Sequence, residues 1–312
     1  MAKGIVLAAG AALLAFGLSL SASRADPAAF ESPQAAVDAV VAALEARDRQ
    51  ALLAVFGPEF EDLVFTGDPE EDREIWGSFL RDYRQMHRIA EDAGDGTAVL
   101  YVGRDQWPFP APLVESAAGT WSFDPEAARE EVEDRRIGRN ELDVIALLEA
   151  YVRVQQRYRL ADQDGDGVME FASAILSSAG KRDGLYWPSE AGAPESPIGD
   201  FVARASADGY SVGDDLAAPE PYLGYYYRIL TEQGPAAPGG TMSYLVNGHM
   251  VAGHALLAFP AAYGDSGIMT FMVGENGIVY EADLGPDTLQ RADAIETYDP
   301  APPWAPVETE TN

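Results

Sequence analysis

A stripe of apolar side chains, placed directly before an aspartate-rich turn, constrains the fold of this chain more than any other stretch. The stripe recurs at three- and four-residue intervals and consists of Val144, Leu147, Leu148, Tyr151, Val154 and Tyr158. This spacing puts the side chains on one face of an α-helix. We therefore predict a long helix over residues 140–160 and interpret its apolar face as core packing.

Strand patterns follow this helix and supply a surface for it. Residues 224–230, 242–246, 250–259, 267–273 and 278–282 have β-branched and aromatic content between turn residues. Asn247-Gly248 is a strong hairpin dipeptide, which joins two of these strands. We expect an antiparallel meander packed on the long helix, with irregular chain and a short helix near 197–209 before it. A short helix from Pro286 should close the meander.

The N-terminal half reads as helices followed by strands. Helical patterns cover 33–44, 47–56 and 68–90, and strand patterns cover 97–103, 110–117 and 119–123. Another helix is expected from Asp124 to Ile137, ended by Gly138. The predicted class is α+β: N-terminal helices plus a small antiparallel sheet, then the long helix on its meander. The predicted boundaries are 26–139 and 140–299, with a loose tail over 300–312.

The aspartate-rich turn has the order of a calcium-binding loop. Carboxylates at the first, third and fifth places, with glycine at the sixth, can converge on one hard cation. The expected ligands are Asp162, Asp164, Asp166, the carbonyl of Val168, and Glu170 at the ninth place. An EF-hand has a bidentate glutamate at the twelfth place, where this chain has Ser173. The alternative is an acidic glycine-rich turn whose aspartates are solvated.

Charge and cysteine content exclude several functions. The chain has 21 basic and 51 acidic residues and a formal net charge of −30, so nucleic acid is not an expected partner. With no cysteine, disulfides, thiol nucleophiles and thiolate metal sites are excluded. Residues 1–25 have Lys3, an apolar run over 4–18 and small residues before Asp26, which is the pattern of a secretory signal peptide. A short membrane anchor is the alternative.

Aromatic and histidine residues offer weaker site hypotheses. A ligand groove could be lined by Tyr186, Trp187, Tyr225 and Tyr227, although tyrosines in strands also pack into cores. His249 and His254 lie five apart, so in one strand they would face opposite sides and are assigned ordinary packing or surface roles. His87 is assigned to a helix surface.

Five longer motifs carry a family resemblance. They are Trp107-Pro108-Phe109-Pro110, the run from Asp134 to Glu141, Asp183-Gly184-Leu185-Tyr186-Trp187-Pro188, the run from Gly224 to Leu230, and the run from Tyr280 to Pro286. In this order they resemble an uncharacterised bacterial envelope family, domain of unknown function 2950, over about 30–304. The resemblance implies export to the periplasm and implies no activity. The C-terminal half also weakly resembles the globular domains of type IV pilins and pseudopilins.

These observations predict a periplasmic protein of unknown specific function. We expect a non-enzymatic calcium-binding interaction module whose partner is another envelope protein or polymer. After removal of the signal peptide it should not be embedded in the membrane. The alternative is a periplasmic hydrolase using carboxylates in a cleft between the two halves.

Overall fold

The computed structural model describes residues 27–92, 94–188, 195–198 and 220–308. The chain divides between Arg129 and Glu130 into two compact units, called unit 1 and unit 2 below. The predicted signal peptide and most of the short helix expected near 197–209 lie outside the described residues. Among the residues that are described, no helix is long and apolar enough to cross a membrane.

Unit 1 begins with helices whose starts follow from their capping residues. Its helices are α1 (Pro33–Ala46), α2 (Arg49–Phe56), a 3₁₀ turn (Pro58–Phe60), α3 (Glu61–Val64) and α4 (Pro69–Gln85). The side chains of Ser32, Asp48 and Asp68 each accept a hydrogen bond from a backbone N–H in the first turn of α1, α2 and α4.

A five-stranded antiparallel sheet completes unit 1. Its strands are β1 (His87–Asp92), β2 (Thr97–Val102), β3 (Trp107–Pro108), β4 (Leu113–Glu115) and β5 (Trp121–Phe123). The order is β1-β2-β4-β5, and β3 also pairs with β2. The prediction of helix to residue 90 is wrong, because the backbone is already extended at Met86, whose carbonyl accepts the N–H of Gly103. His87 is therefore an exposed strand residue.

One helix, α5 (Pro125–Tyr158), replaces the two predicted around Gly138. A glycine in a helix interior costs about 1 kcal/mol relative to alanine, which weakens a helix without ending it. The next turns bury Val144 and Leu148 completely, and this burial outweighs the cost. The break predicted at Gly138 is therefore wrong, while the stripe that predicts the second part of the helix is correctly placed.

Unit 2 contains the predicted meander. The main strands are β8 (Tyr225–Leu230), β13 (Ala255–Pro260), β14 (Met269–Gly274), β15 (Val279–Asp283) and β16 (Ala305–Pro306), paired antiparallel in that order. The remaining elements are short: β6 (Ala174–Leu176), β7 (Gly184–Tyr186), β9 (Glu232–Gln233), β10 (Met242–Ser243), β11 (Leu245–Val246), β12 (His249–Met250) and α6 (Thr288–Asp293).

The core of unit 2 lies between α5 and this sheet. Buried side chains of α5 share one cluster with Leu256, Phe271 and other residues of the sheet. The Tyr151 hydroxyl also donates to the carbonyl of Ala255 at 3.1 Å. The α+β class, with the long helix on an antiparallel meander, is confirmed.

The C-terminal tail is not loose over the described residues. Ala305 pairs with Glu281, and the N–H of Val307 donates to the carbonyl of Val279 at 2.9 Å. Because β16 extends the sheet edge, the prediction of a loose segment from residue 300 is wrong up to residue 308. Prolines are compatible with this position, since an edge strand has unpaired backbone groups on one side.

Candidate metal centre

The aspartate loop starts where α5 ends. The side-chain amide of Gln163 donates to the carbonyl of Tyr158 at 3.2 Å and caps the last turn of the helix. Gly165 and Gly167 have φ of 81° and 92°, a conformation that residues with a side chain rarely adopt. These two glycines let the chain curl back within a few residues, so that the backbone N–H groups of the loop point inward.

Asp162 organises this curl. One carboxylate oxygen accepts the N–H groups of Gly165 and Asp166 at 2.7 and 3.1 Å, and the other accepts the N–H of Gly167 at 2.9 Å. The hydrogen bond from Gly167, followed by those from Gly165 and Asp166, lowers the pKa of the Asp162 carboxyl below its usual value. Asp162 therefore remains ionised in moderately acidic solution.

The three alternating aspartates converge. Asp162, Asp164 and Asp166 each offer one carboxylate oxygen, and these oxygens lie within 4.8 Å of one another. Like charges this close repel each other unless a cation or donor groups neutralise them. Oxygen ligands at this spacing suit a hard divalent cation. These three residues are called the aspartate triad below.

A second group of ligand atoms adjoins the triad and shares Asp166. The Nδ1 atom of His249 lies 3.1 Å from a carboxylate oxygen of Asp166 and 3.4 Å from one of Glu170. The three residues again place ligand atoms within 4.8 Å of one another. Asp166, Glu170 and His249 are called the histidine group. The sequence hypothesis contained the first two residues and missed His249.

The hairpin β11–β12 brings His249 to the loop. Asn247 and Gly248 both have positive φ, as a tight two-residue hairpin turn requires, and Val246 pairs with His249. The next residue fixes the position: the N–H of Met250 donates to Glu170 at 2.7 Å, and its carbonyl accepts the N–H of Phe171 at 2.8 Å. Glu170 therefore faces the hairpin, and its second oxygen is the one directed at His249.

The exit of the loop is attached to α5 by a buried glutamine. Gln155 is fully buried, and its amide both accepts the N–H and donates to the carbonyl of Ala172, each at 2.9 Å. The same amide nitrogen donates to the hydroxyl of Tyr151. Both ends of the loop are thus held by α5.

The structure leaves two predicted details of the loop open. Val168 donates its N–H to Asp166 at 2.8 Å, and its role as a carbonyl ligand stays a prediction. Ser173, at the twelfth place, is exposed. An additional ligand beside the triad is instead available from the histidine group, whose Glu170 and His249 are both half-buried.

The prediction of an aromatic ligand groove is wrong for two of its four residues, Tyr225 and Tyr227. Tyr225 and Tyr227 have no exposed surface and belong to the core beneath α5, where their hydroxyls donate to the carbonyls of Met269 and Tyr222. Trp187 is also buried, and Tyr186 is half-buried. The tyrosines of β8 therefore pack the sheet against the helix.

Glu281 and Glu141 are a candidate carboxylate pair for hydrolysis among the described residues of unit 2. Burial, followed by the charges of Glu141 and Glu308, raises the pKa of the Glu281 carboxyl. However, one oxygen of Glu141 accepts the backbone N–H groups of Ile268 and Met269, both at 2.9 Å. Glu141 is thereby committed to holding β14 against α5, which is a structural role.

The fold and this loop define an α+β protein with a carboxylate-rich loop between the end of a long helix and a β-hairpin. Its family follows from comparison with known proteins. The family described as "Protein of unknown function (DUF2950)" matches residues 27–307, and the chain belongs to it. No curated protein and no solved structure matches the chain significantly.

Proposed function

We propose that this protein is an exported, calcium-binding interaction module of the cell envelope. The observation that carries the proposal is the convergence of Asp162, Asp164 and Asp166, whose oxygens lie within 4.8 Å of one another in the order of a calcium loop. The leader pattern of residues 1–25 supports export, and the resemblance to an envelope family supports a periplasmic location.

Calcium fits the aspartate triad better than a transition metal does. The triad offers only oxygen ligands, and Ca²⁺ accepts six to eight of them in flexible geometry. The net charge of −30 also raises the local concentration of cations near the surface. By contrast, the histidine group offers one nitrogen among its three ligands, a set that suits Zn²⁺.

Binding at this place would join three parts of unit 2. The loop follows α5, and Asp166 belongs both to the triad and to the group that contains His249 of β12. A cation on the triad would therefore cancel repulsion beside the hairpin as well as within the loop. We infer that calcium rigidifies the loop and hairpin as a surface for another envelope protein or polymer.

Calorimetric and thermal titration with calcium tests this proposal. Protein prepared without metal should bind about one Ca²⁺, and its melting temperature should rise, since a ligand at 100 times its Kd stabilises the folded state by about 2.7 kcal/mol. Asp164→Asn should abolish both effects. Asp95→Asn, which removes a similar charge from an exposed turn of unit 1, should leave both unchanged.

His249→Gln separates the two ligand groups. It should remove any binding of Zn²⁺ and leave most of the affinity for Ca²⁺, because the triad retains its three carboxylates. Protein that gives neither heat nor a thermal shift with Ca²⁺ contradicts the proposal. So does calcium binding that survives Asp164→Asn but is lost in His249→Gln.

A further inference from the structure

β1 is an edge strand of the sheet of unit 1. The strand lies at the end of its sheet, and among the described residues β2 is the only strand that pairs with it. Four of its six residues are exposed, namely His87, Arg88, Glu91 and Asp92. Such an edge presents unpaired N–H and C=O groups that a further strand can use.

The outward-facing backbone groups can be identified from the ladder. The Met86 carbonyl accepts the N–H of Gly103, so Met86 and every second residue after it direct their backbone groups toward β2. His87, Ile89 and Glu91 consequently direct theirs away from the sheet. A strand added at this edge would bond to these three residues.

The charges of β1 are ordered from one end to the other. Reading along the strand, His87-Arg88 is followed by the apolar pair Ile89-Ala90 and then by Glu91-Asp92. Charged residues on an edge commonly prevent strand addition. Here their order has a second consequence: a parallel copy would place like charges side by side, whereas an antiparallel copy places opposite charges side by side.

We infer that β1 is a homodimerisation edge that pairs antiparallel with β1 of a second copy of this chain. A twofold axis perpendicular to the sheet keeps corresponding faces on the same side, so a pairing centred on Ala90 puts Arg88 directly opposite Asp92 of the second copy, in two symmetry-related pairs. These are non-hydrogen-bonded positions, where opposing side chains lie closest. The outward backbone groups of Ile89 and Glu91 pair with those of Glu91 and Ile89 of the second copy and make about four interchain hydrogen bonds.

The existing contacts of Arg88 leave it available for this role. Its guanidinium lies over the ring of Tyr101 and donates to the side chain of Gln106 at 2.5 Å, and the side chain remains exposed. Tyr101 belongs to β2 and Gln106 to the turn that follows it, so both contacts hold the arginine side chain on the solvent-exposed side of the sheet. An exposed ion pair contributes little binding free energy by itself. The ordered charges therefore determine the direction of strand pairing and the choice of partner more than the affinity.

The dimer should be weak and concentration-dependent. One six-residue strand pair is smaller than a standard stable interface, and the net charge of −30 on each copy opposes association. Sedimentation equilibrium up to high-micromolar protein should show a monomer–dimer equilibrium of the full chain. Moderate salt should first strengthen the dimer, because it screens the overall repulsion between copies.

Charge exchange provides the decisive test. His87→Glu/Arg88→Glu makes the edge wholly acidic, and Glu91→Lys/Asp92→Lys makes it wholly basic. Each variant alone should have a dissociation constant at least about tenfold higher than the wild type.

Three further samples separate edge pairing from changed net charge or lost folding. An equimolar mixture of the two variants should form a heterodimer, and the quadruple variant that exchanges both ends should regain the homodimer. Glu31→Lys/Glu126→Lys matches the charge change of the basic variant at exposed positions away from the edge and should dimerise at least as well as the wild type. A wild type that is monomeric at every concentration overturns the inference, and so do charge-reversed variants that self-associate as the wild type does.

Discussion

Replacing His254 with leucine is expected to change how the stability of unit 2 depends on pH. The imidazole has no exposed surface, and within the described residues neither ring nitrogen has a hydrogen-bond partner. It packs between the rings of Tyr151 and Phe171, with centroids at 5.2 and 4.6 Å. Burial, assisted by the charge of Arg159, lowers the pKa of His254 from 6.5 to about 4.

The depressed pKa sets both the direction and the size of the effect. Between pH 6.5 and about 4 the unfolded chain binds a proton that the folded chain excludes, so folding stability falls as the pH decreases through this window. A difference of roughly 2.5 pKa units at 1.36 kcal/mol each corresponds to about 3 kcal/mol in full, of which about 2.5 kcal/mol is lost by pH 4.5. Leucine does not titrate, so His254→Leu should not lose this stability as the pH decreases.

Chemical denaturation from pH 7.5 to 4.5 measures this difference. At pH 7.5 His254→Leu should equal the wild type or exceed it by about 1 kcal/mol, because it removes buried unpaired nitrogens. At pH 4.5 its advantage should grow by about 2.5 kcal/mol. The control is Thr270→Val, which removes another buried unpartnered group that does not titrate and should shift stability equally at every pH. If His254→Leu and the wild type differ by the same amount across the range, the imidazole is not buried in its neutral form.

Two further substitutions test the polar groups that hold each unit together. Asp72→Asn should destabilise unit 1 by about 2 kcal/mol in thermal unfolding at pH 7, since the buried carboxylate accepts Arg49 at 2.6 Å and the N–H of Thr66 at 2.8 Å. Burial would raise the pKa of the Asp72 carboxyl, but these hydrogen bonds outweigh the effect of burial and hold the pKa below 3.8. The stabilisation by the ionised carboxylate should therefore be lost as the pH falls below that value, so the wild type and Asp72→Asn should become equally stable. Gln155→Leu should destabilise unit 2 by about 2–4 kcal/mol and weaken calcium binding in calorimetry, because it leaves the buried N–H and C=O of Ala172 unpaired at the loop exit. Unchanged melting temperatures in both variants would contradict these assignments.

Local periodicity predicted the helix and sheet of unit 2 because both patterns depend on residues close in sequence. The stripe ending at Tyr158 is a face of α5, and the dipeptide Asn247-Gly248 forms the tight turn it indicates. Element ends were less predictable. Gly138 stays helical because the burial of the following turns outweighs a weak local preference, and β1 begins at His87 because β2 offers it a partner.

Alternation along β8 could not determine which of its two faces is buried. Successive strand residues face opposite sides of the sheet, so Tyr226 must face away from Tyr225 and Tyr227. Because all three side chains are tyrosine, the sequence does not show which of the two sides faces the core. The position of α5 determines which face is buried: the helix covers the face of Tyr225 and Tyr227, and Tyr226 remains half-buried on the other face. Any ligand groove built on tyrosine content alone fails for this reason.

The contact between the aspartate loop and His249 depends on strand register, which acidic spacing cannot encode. Glu170 and His249 are 79 residues apart, and they meet because the two-residue turn after Val246 aligns the hairpin so that Met250 bonds to Glu170 through its N–H. A shift of one residue would direct the neighbouring side chain away from the loop, since successive strand residues face opposite sides. The turn of the hairpin therefore determines whether a nitrogen atom lies beside the carboxylates, whereas the convergence of the three aspartates depends on the loop alone.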